Sequence, residues 1–299
     1  LLRLLQSLSE CEVKPEEIIV GINGLDPQSS EIARQWKSVF GESFHLMEFA
    51  QPLWPGLARN RLVEQCKGEF ICFLDDDTAV EKKFFGNFAE LVRGQSNVYL
   101  FGGPNLGFKD ANSSQSFQEI LFSSRLASGP FALRYSLGKD HLTSSDRGLT
   151  LCNLFISRRH FLELGGFPDA SCGEESFLLK LYFQRGWLAF YSSRLFVFHE
   201  RRLRDEDFFR QIRRYGRGRG MQLVGQSMVR AVIFYFLLIL LLPVMAVGFV
   251  GLLIYWLLRL RFNLGQLAKA VHFYFSYFKG LCEGLASAFA NPQQQRNEW

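Results

Sequence analysis

The sequence lacks the features of a disulfide-stapled or zinc-built domain. Its six cysteines, Cys11, Cys66, Cys72, Cys152, Cys172 and Cys282, show no C-x-x-C spacing, which argues against a zinc site and predicts reduced, structural thiols in a reducing compartment. The chain does not open on Met, and "LLRLLQSLSE" carries no signal-peptide pattern; an amphipathic helix is already under way, so further sequence is expected upstream. Charge is missing altogether from Ala231 to Leu258, a run of 28 residues. Roughly 20 apolar residues suffice to span a bilayer, so this stretch predicts a membrane-inserted segment. A general excess of one charge sign is also missing. The net charge of +5 comes largely from residues 201–230, a local patch, and nucleic acid is not an expected partner.

What is present divides along the chain. Residues 1–200 read as a mixed globular domain, 201–230 as a basic juxtamembrane segment, 231–260 as a transmembrane or re-entrant segment, 261–290 as an amphipathic interfacial helix, and 291–299 as a polar tail. Pro243 is expected to kink or turn the membrane segment, and arginines on both sides leave its orientation open. Within the first part, "EEIIVGING", "FHLMEF" and "FICFL" have the apolar runs of buried strands. "QSSEIARQWKSVF" and "GLARNRLVEQCKGE" have helical spacing, with Ser30 a plausible cap for the first. Strands alternating with helices predict a mostly parallel sheet, which binds ligands at the carboxyl ends of its strands.

"FICFLDDDTAV" ends such a strand on three consecutive carboxylates, Asp75, Asp76 and Asp77, with no basic residue among them. Like charges packed together repel unless something neutralises them, and a divalent cation does so well; a solvated helix start would explain the triplet equally simply. Further on, Glu174 and Glu175 open an amphipathic helix, an ordinary complement to the helix dipole.

The order of "EEIIVGINGLD", "GLARNRLVEQCKGEFICFLDDD", "GGFPDASCGEESFLLKLYFQRGW" and "QIRRYGRGRG" resembles glycosyltransferase family 2, over about residues 1–220. The last block also resembles the Q-x-x-R-W motif of processive polysaccharide synthases, with Tyr215 in place of Trp, and the basic segment of membrane-attached exopolysaccharide transferases. The resemblance implies an α/β GT-A fold, Rossmann-like, with a mostly parallel sheet flanked by helices, and inverting transfer of a sugar from a nucleotide donor. It implies that Asp75 and Asp77 hold Mg²⁺ or Mn²⁺ on the donor diphosphate, that Asp76 faces the ribose, and that His199 in "VFHERR" is a third metal ligand. A cation stabilises the charge that grows on the departing nucleoside diphosphate. The base that accepts the acceptor's proton aligns with Glu175, where the family usually has Asp; Glu174 stays open as the alternative. Arg59, Gln211, Arg214, Tyr215 and Arg217 are implied to border the donor and acceptor. The family's uracil-side Asp aligns with Ile22, leaving Asn23 and Asp26 for the base and making UDP only the default.

The expected partners are therefore a nucleotide sugar, a lipid-linked or growing glycan acceptor and a membrane, with catalysis at the cytoplasmic face. Arg201, Arg202 and Arg204 extend the basic run, which suits either phosphate or anionic headgroups. A nucleotidyltransferase would also use paired aspartates, though the GGF-to-GEE block argues against it; a catalytically silent membrane scaffold is the third class.

Overall fold

The computed structural model describes residues 1–169, 173–226, 250–251, 253–258 and 263–290. The chain forms two compact units: Leu1–Ala111 with Phe122–Glu200, and Asn112–Leu121 with the described residues from Arg201 onward.

In the first unit, α1 (Leu2–Glu10) turns Leu4, Leu5 and Leu8 into an apolar cluster with Ile18, Phe44, Val80 and Phe84. A parallel βαβ unit follows: β1 (Ile18–Asn23), α2 (Pro27–Phe40) and β2 (Phe44–Phe49), with Ile18 opposite Phe44 and Asn23 opposite Phe49. Asp26, not Ser30, caps α2. Its carboxylate accepts from the Ser29 N–H at 3.0 Å and Pro27 fills the first turn, where a missing N–H costs nothing. Ser30 is buried inside the helix.

The core sheet is built from β3 (Phe70–Leu74), β5 (Leu100–Gly102), β7 (His141–Thr143), β8 (Asn153–Ser157) and β9 (Ala189–Tyr191), in the order β3-β8-β5-β9-β7. Its β3/β8, β5/β8 and β7/β9 pairs are antiparallel and only β5/β9 is parallel, which corrects the expected mostly parallel sheet. Alternating strands and helices imply parallel neighbours only where a helical crossover joins the strands that pair. Here β3 pairs with β8 across a long stretch of chain, so sequence order did not predict direction. "FICFL" consequently lies at one end of this sheet. Alternation along it sends Ile71 and Phe73 into one cluster, with Leu154 and Leu178, and Cys72 against another that holds Phe155 and Phe190.

A second small sheet positions the acidic turn. β4 (Thr78–Val80) pairs antiparallel with β10 (Val197–His199), which pairs parallel with β6 (Asn105–Leu106). The remaining helices of this unit are α3 (Pro55–Gln65), α4 (Phe84–Gly94), α6 (Arg125–Ser128), α7 (Arg158–Glu163) and α8 (Glu174–Gln184); α5 (Ser113–Ser123) begins in the second unit.

In the second unit, Gln115 and Gln118 of α5 donate to the carbonyls of Arg201 and Arg202 at 2.9 and 2.7 Å. Arg201 is buried and pairs with Glu119 at 2.7 Å, so it is part of the packing and does not join the solvated basic face expected of it. Helices α9 (Asp205–Gln226) and α10 (Leu264–Ala290) make ordered contacts that rise together along both: Asp205 with Lys269, Phe208 with Phe273, Gly216 with Tyr277, Gly220 with Leu281. The two therefore run parallel. Gly216 and Gly220 on one and Gly280 and Gly284 on the other bring the backbones so close that any Cβ there would overlap a facing carbonyl. Gly216 and Gly220 of "YGRGRG" are thus packing residues.

Among the described residues no helix is long and apolar enough to cross a membrane, which corrects the expected C-terminal hydrophobic membrane segment. α10 is the longest described helix, and Lys269, Lys279 and Glu283 interrupt its apolar run. Residues 231–249, with Pro243, the expected interfacial start at 261–262 and the tail at 291–299 lie outside the described residues.

Candidate active site

The acidic triplet leaves β3 in a tight turn. The Thr78 N–H and hydroxyl both donate to the Asp75 carbonyl, at 3.1 and 2.6 Å, and the chain re-enters the small sheet at once. There Thr78 lies opposite His199, and the Glu200 N–H donates to the Asp77 carbonyl at 2.9 Å. This register sets His199 Nε2 3.4 Å from Asp77 Oδ1. Asp76 points outward and is exposed.

Arg59 of α3 ties the triplet to the Glu174–Glu175 block. Its Nη2 lies 3.3 Å from Asp75 Oδ1 and its Nη1 2.9 Å from Glu174 Oε1. The next residue, Asn60, clamps the "GGF" turn: its amide donates to the Phe167 carbonyl at 2.8 Å, and the Phe167 N–H donates back at 2.9 Å. Gly56, one turn earlier, lets this turn pack directly on α3; a Cβ there would lie 2.9 Å from Phe167 Cβ and 3.3 Å from Glu174 Cβ. α8 thus starts beside α3, with both glutamates in its first turn.

The two glutamates differ sharply. Glu174 is committed to Arg59. Glu175 Oε1 is buried without a hydrogen-bond partner among the described residues, 3.8 Å from Arg134 Nη1. Burial pushes the Glu175 carboxyl above its ordinary range, against the pull of Arg134 and of the Leu151 backbone. Asp75 is likewise raised, first by burial and then by the neighbouring Asp77 charge, while Arg59 and His199 oppose the rise. Arg134 is held in turn by Asp146, whose carbonyl and carboxylate it meets at 2.9 and 3.3 Å.

One ligand atom each from Asp75, Cys152 and His199 falls within 4.8 Å of the others, with Asp77 beside His199. An octahedral ion with bonds of about 2.1 Å holds its ligands about 3–4 Å apart, so side-chain adjustment alone would let this donor set close on a divalent cation. The residues fit the implied metal.

Asp75, Asp77, Glu174, Glu175, Arg59 and His199 therefore share the first unit, linked by these contacts. Asn23 lies at the end of β1, where its side chain exchanges hydrogen bonds with the Leu53 backbone at 2.9 and 2.8 Å, and Asp26 is engaged in capping α2. Gln211, Arg214, Tyr215 and Arg217 are on α9 of the second unit, where the Gln211 amide donates to the Tyr215 hydroxyl at 2.9 Å. Sequence reasoning missed Asn60, Arg134 and Cys152 as site residues. Asn60 sits inside the quoted "ARN" block and could have been found there; Arg134 and Cys152 lie in segments without a motif.

Residues 1–161 match the family model described as glycosyl transferase family 2. The chain belongs to glycosyltransferase family 2. The mannosyltransferase PcManGT from Pyrobaculum calidifontis, solved with GDP-Man and Mn²⁺, is similar at 12% identity and a TM-score of 0.51, over 96% of this chain and 70% of that one. S. aureus TarS 1–349, solved with UDP-GlcNAc, is similar at 16% identity and a TM-score of 0.49, over 70% and 60%. The chain spans about 60% of the TarS 1–349 chain it matches. The likeness to PcManGT is evidence of a shared fold, the mixed α/β GT-A type. No curated protein matches the chain.

Proposed function

We propose that this family 2 member is an inverting glycosyltransferase that moves a sugar from a nucleotide donor, UDP-linked by default, to a lipid-linked or growing glycan acceptor. The observation that carries this reading is Glu175: a buried carboxylate whose Oε1 has Arg134 3.8 Å away but accepts no hydrogen bond among the described residues, in the same unit as the Asp75–Cys152–His199 cluster with Asp77 beside it. A bound Mg²⁺ or Mn²⁺ would offset charge on the leaving diphosphate. Asp75, Asp77 and His199 would hold it, and Arg59 keeps Asp75 aimed at the cluster.

Glu175 is assigned as the base that takes the acceptor hydroxyl's proton, because Glu174 is already held by Arg59. Burial raises its proton affinity, which suits a general base, and the Arg134 guanidinium 3.8 Å away opposes that rise. In this reading Asp76 serves the donor's ribose and Asn23 its base. We place its work at the cytoplasmic face of a membrane; contact with a membrane surface is supported by the outward stripe of α10, Leu264, Val271, Phe275 and Phe278, which recurs at helical spacing and is apolar.

The test is purified protein in detergent with Mn²⁺, a panel of nucleotide sugars and a membrane lipid extract, with the product's anomeric configuration read by NMR. Inversion is expected; a product that keeps the donor's configuration contradicts Glu175 as the base.

A further inference from the structure

The antiparallel ladder between β3 and β8 ends at Leu74 opposite Asn153. One step beyond the last pair, Asp75 and Cys152 leave the two strands side by side. Cys152 cannot drift from this place. It sits in a turn closed by the Asn153 N–H on the Thr150 carbonyl at 3.0 Å, and Asn153 is fully buried with its amide on the Pro104 carbonyl at 3.3 Å.

The surroundings of this sulfur differ from those of Cys11, Cys66 and Cys72. Cys11 and Cys66 turn back on carbonyls of their own helices, Ser7 and Leu62, at 3.4 and 3.6 Å. Cys72 lies within the sheet's apolar packing. Cys152 is 5% exposed; its sulfur has the Thr150 hydroxyl at 3.5 Å, and it lies with one carboxylate oxygen of Asp75 and one ring nitrogen of His199, all three within 4.8 Å of one another. Three donor types, from β3's end, the turn before β8 and β10, converge on one point.

We propose that Cys152 is a thiolate ligand of the divalent cation in this site, and that it biases the site toward transition-metal ions, Co²⁺ and to a lesser degree Mn²⁺, over Mg²⁺. Carboxylates accept all three ions and the His199 imidazole already leans toward the transition metals; a thiolate strengthens that lean, because it bonds poorly to Mg²⁺, a hard ion that prefers oxygen. On binding, the S–H bond breaks, the proton passes to solvent and the sulfur pair forms the metal bond, so no redox change is involved. The inference rests on the reading of Asp75 and His199 as metal ligands, and its test separates the two.

The full chain is titrated with Co²⁺ and watched for a sulfur-to-cobalt charge-transfer band in the near ultraviolet. The band is expected in the wild type and in Cys172→Ser, and absent in Cys152→Ser and Asp75→Asn. In Cys152→Ser the affinity for Mn²⁺ should fall about tenfold or more, with that for Mg²⁺ nearly unchanged. Should Cys152→Ser fail to fold, the wild type answers alone: Cd²⁺ should slow N-ethylmaleimide labelling of the Cys152 peptide about tenfold, and Asp75→Asn should abolish that protection. Co²⁺ binding that depends on Asp75 but shows no thiolate band overturns the role of Cys152 and leaves the metal site standing. No saturable ion binding at all overturns both.

Discussion

Replacing Arg59 by Met removes the one guanidinium that meets both acidic blocks. Its two contacts, 3.3 Å to Asp75 and 2.9 Å to Glu174, represent attractions of about 5 and 6 kcal/mol at an effective dielectric near 20. The measurable cost is smaller, because Arg59 regains hydration on unfolding. Breaking a buried pair costs about 3–5 kcal/mol, and with the Arg59 side chain 24% exposed we expect about 2–3 kcal/mol. For a chain of this size that corresponds to a fall in Tm of roughly 5–10 °C, read by circular dichroism at pH 7. Two signatures separate this from simple loss of packing. The deficit should shrink as pH is lowered, where Asp75, whose carboxyl burial raises above its ordinary range, loses the charge that needs a partner. Added Mn²⁺ should restore part of it, since a cation at Asp75 replaces the missing positive charge. A Tm within about 2 °C of wild type, or a deficit independent of both pH and Mn²⁺, refutes the bridging role of Arg59.

Three further outcomes follow from other contacts. Glu175 has a folded pKa raised by burial, so the folded protein holds its proton more tightly than the unfolded chain does; stability is full below the unfolded pKa and declines as pH rises through the folded one. Glu175→Gln should therefore gain stability relative to wild type as pH rises from 4 to 8 in urea unfolding, and a constant difference across that range contradicts the burial argument. Asn60→Ala removes both hydrogen bonds to the Phe167 backbone and should cost about 1–3 kcal/mol while lowering turnover, because the turn that delivers α8 loosens; unchanged turnover in a destabilised variant would separate the clamp from the site. Gly280→Ala places a methyl on the Arg213 carbonyl and should force α9 and α10 apart, lowering the second unit's melting by several degrees; an unchanged melting profile would contradict the close backbone approach.

The local elements were legible in the sequence because each rests on nearby residues. The apolar run of "FICFL", the spacing of "GLARNRLVEQ" and the Glu174 start of α8 all appear as strand or helix where the pattern places them. Strand direction was not legible, since the pairing of β3 with β8 is a long-range choice that no local period encodes. The same limit hid Cys152. Its neighbours Asp75 and His199 are distant in sequence, and only the ladder registers at Leu74–Asn153 and Thr78–His199 bring the three together. Asp26, left for the base because the family's Asp aligns with Ile22, has a local role that its position before Pro27 could have signalled: it caps its own helix. The arginine run was read as one charged face, yet Arg201 is buried on Glu119 and the Arg213 guanidinium meets Glu283 at 2.7 Å. Charge counts along a sequence do not distinguish a solvated arginine from one that holds two helices.

The central claim is that a divalent ion held at the end of β3 and a base at Glu175 together drive sugar transfer. Its most direct measurement is metal-dependent release of nucleoside diphosphate from a nucleotide sugar, in wild type, Asp77→Asn, Glu175→Gln and Glu174→Gln, with and without chelator, each variant first shown to be folded. The account predicts turnover in the wild type that chelation abolishes, loss of about a hundredfold or more in Asp77→Asn and Glu175→Gln, and a smaller loss in Glu174→Gln. Wild-type turnover in Asp77→Asn and Glu175→Gln would contradict it.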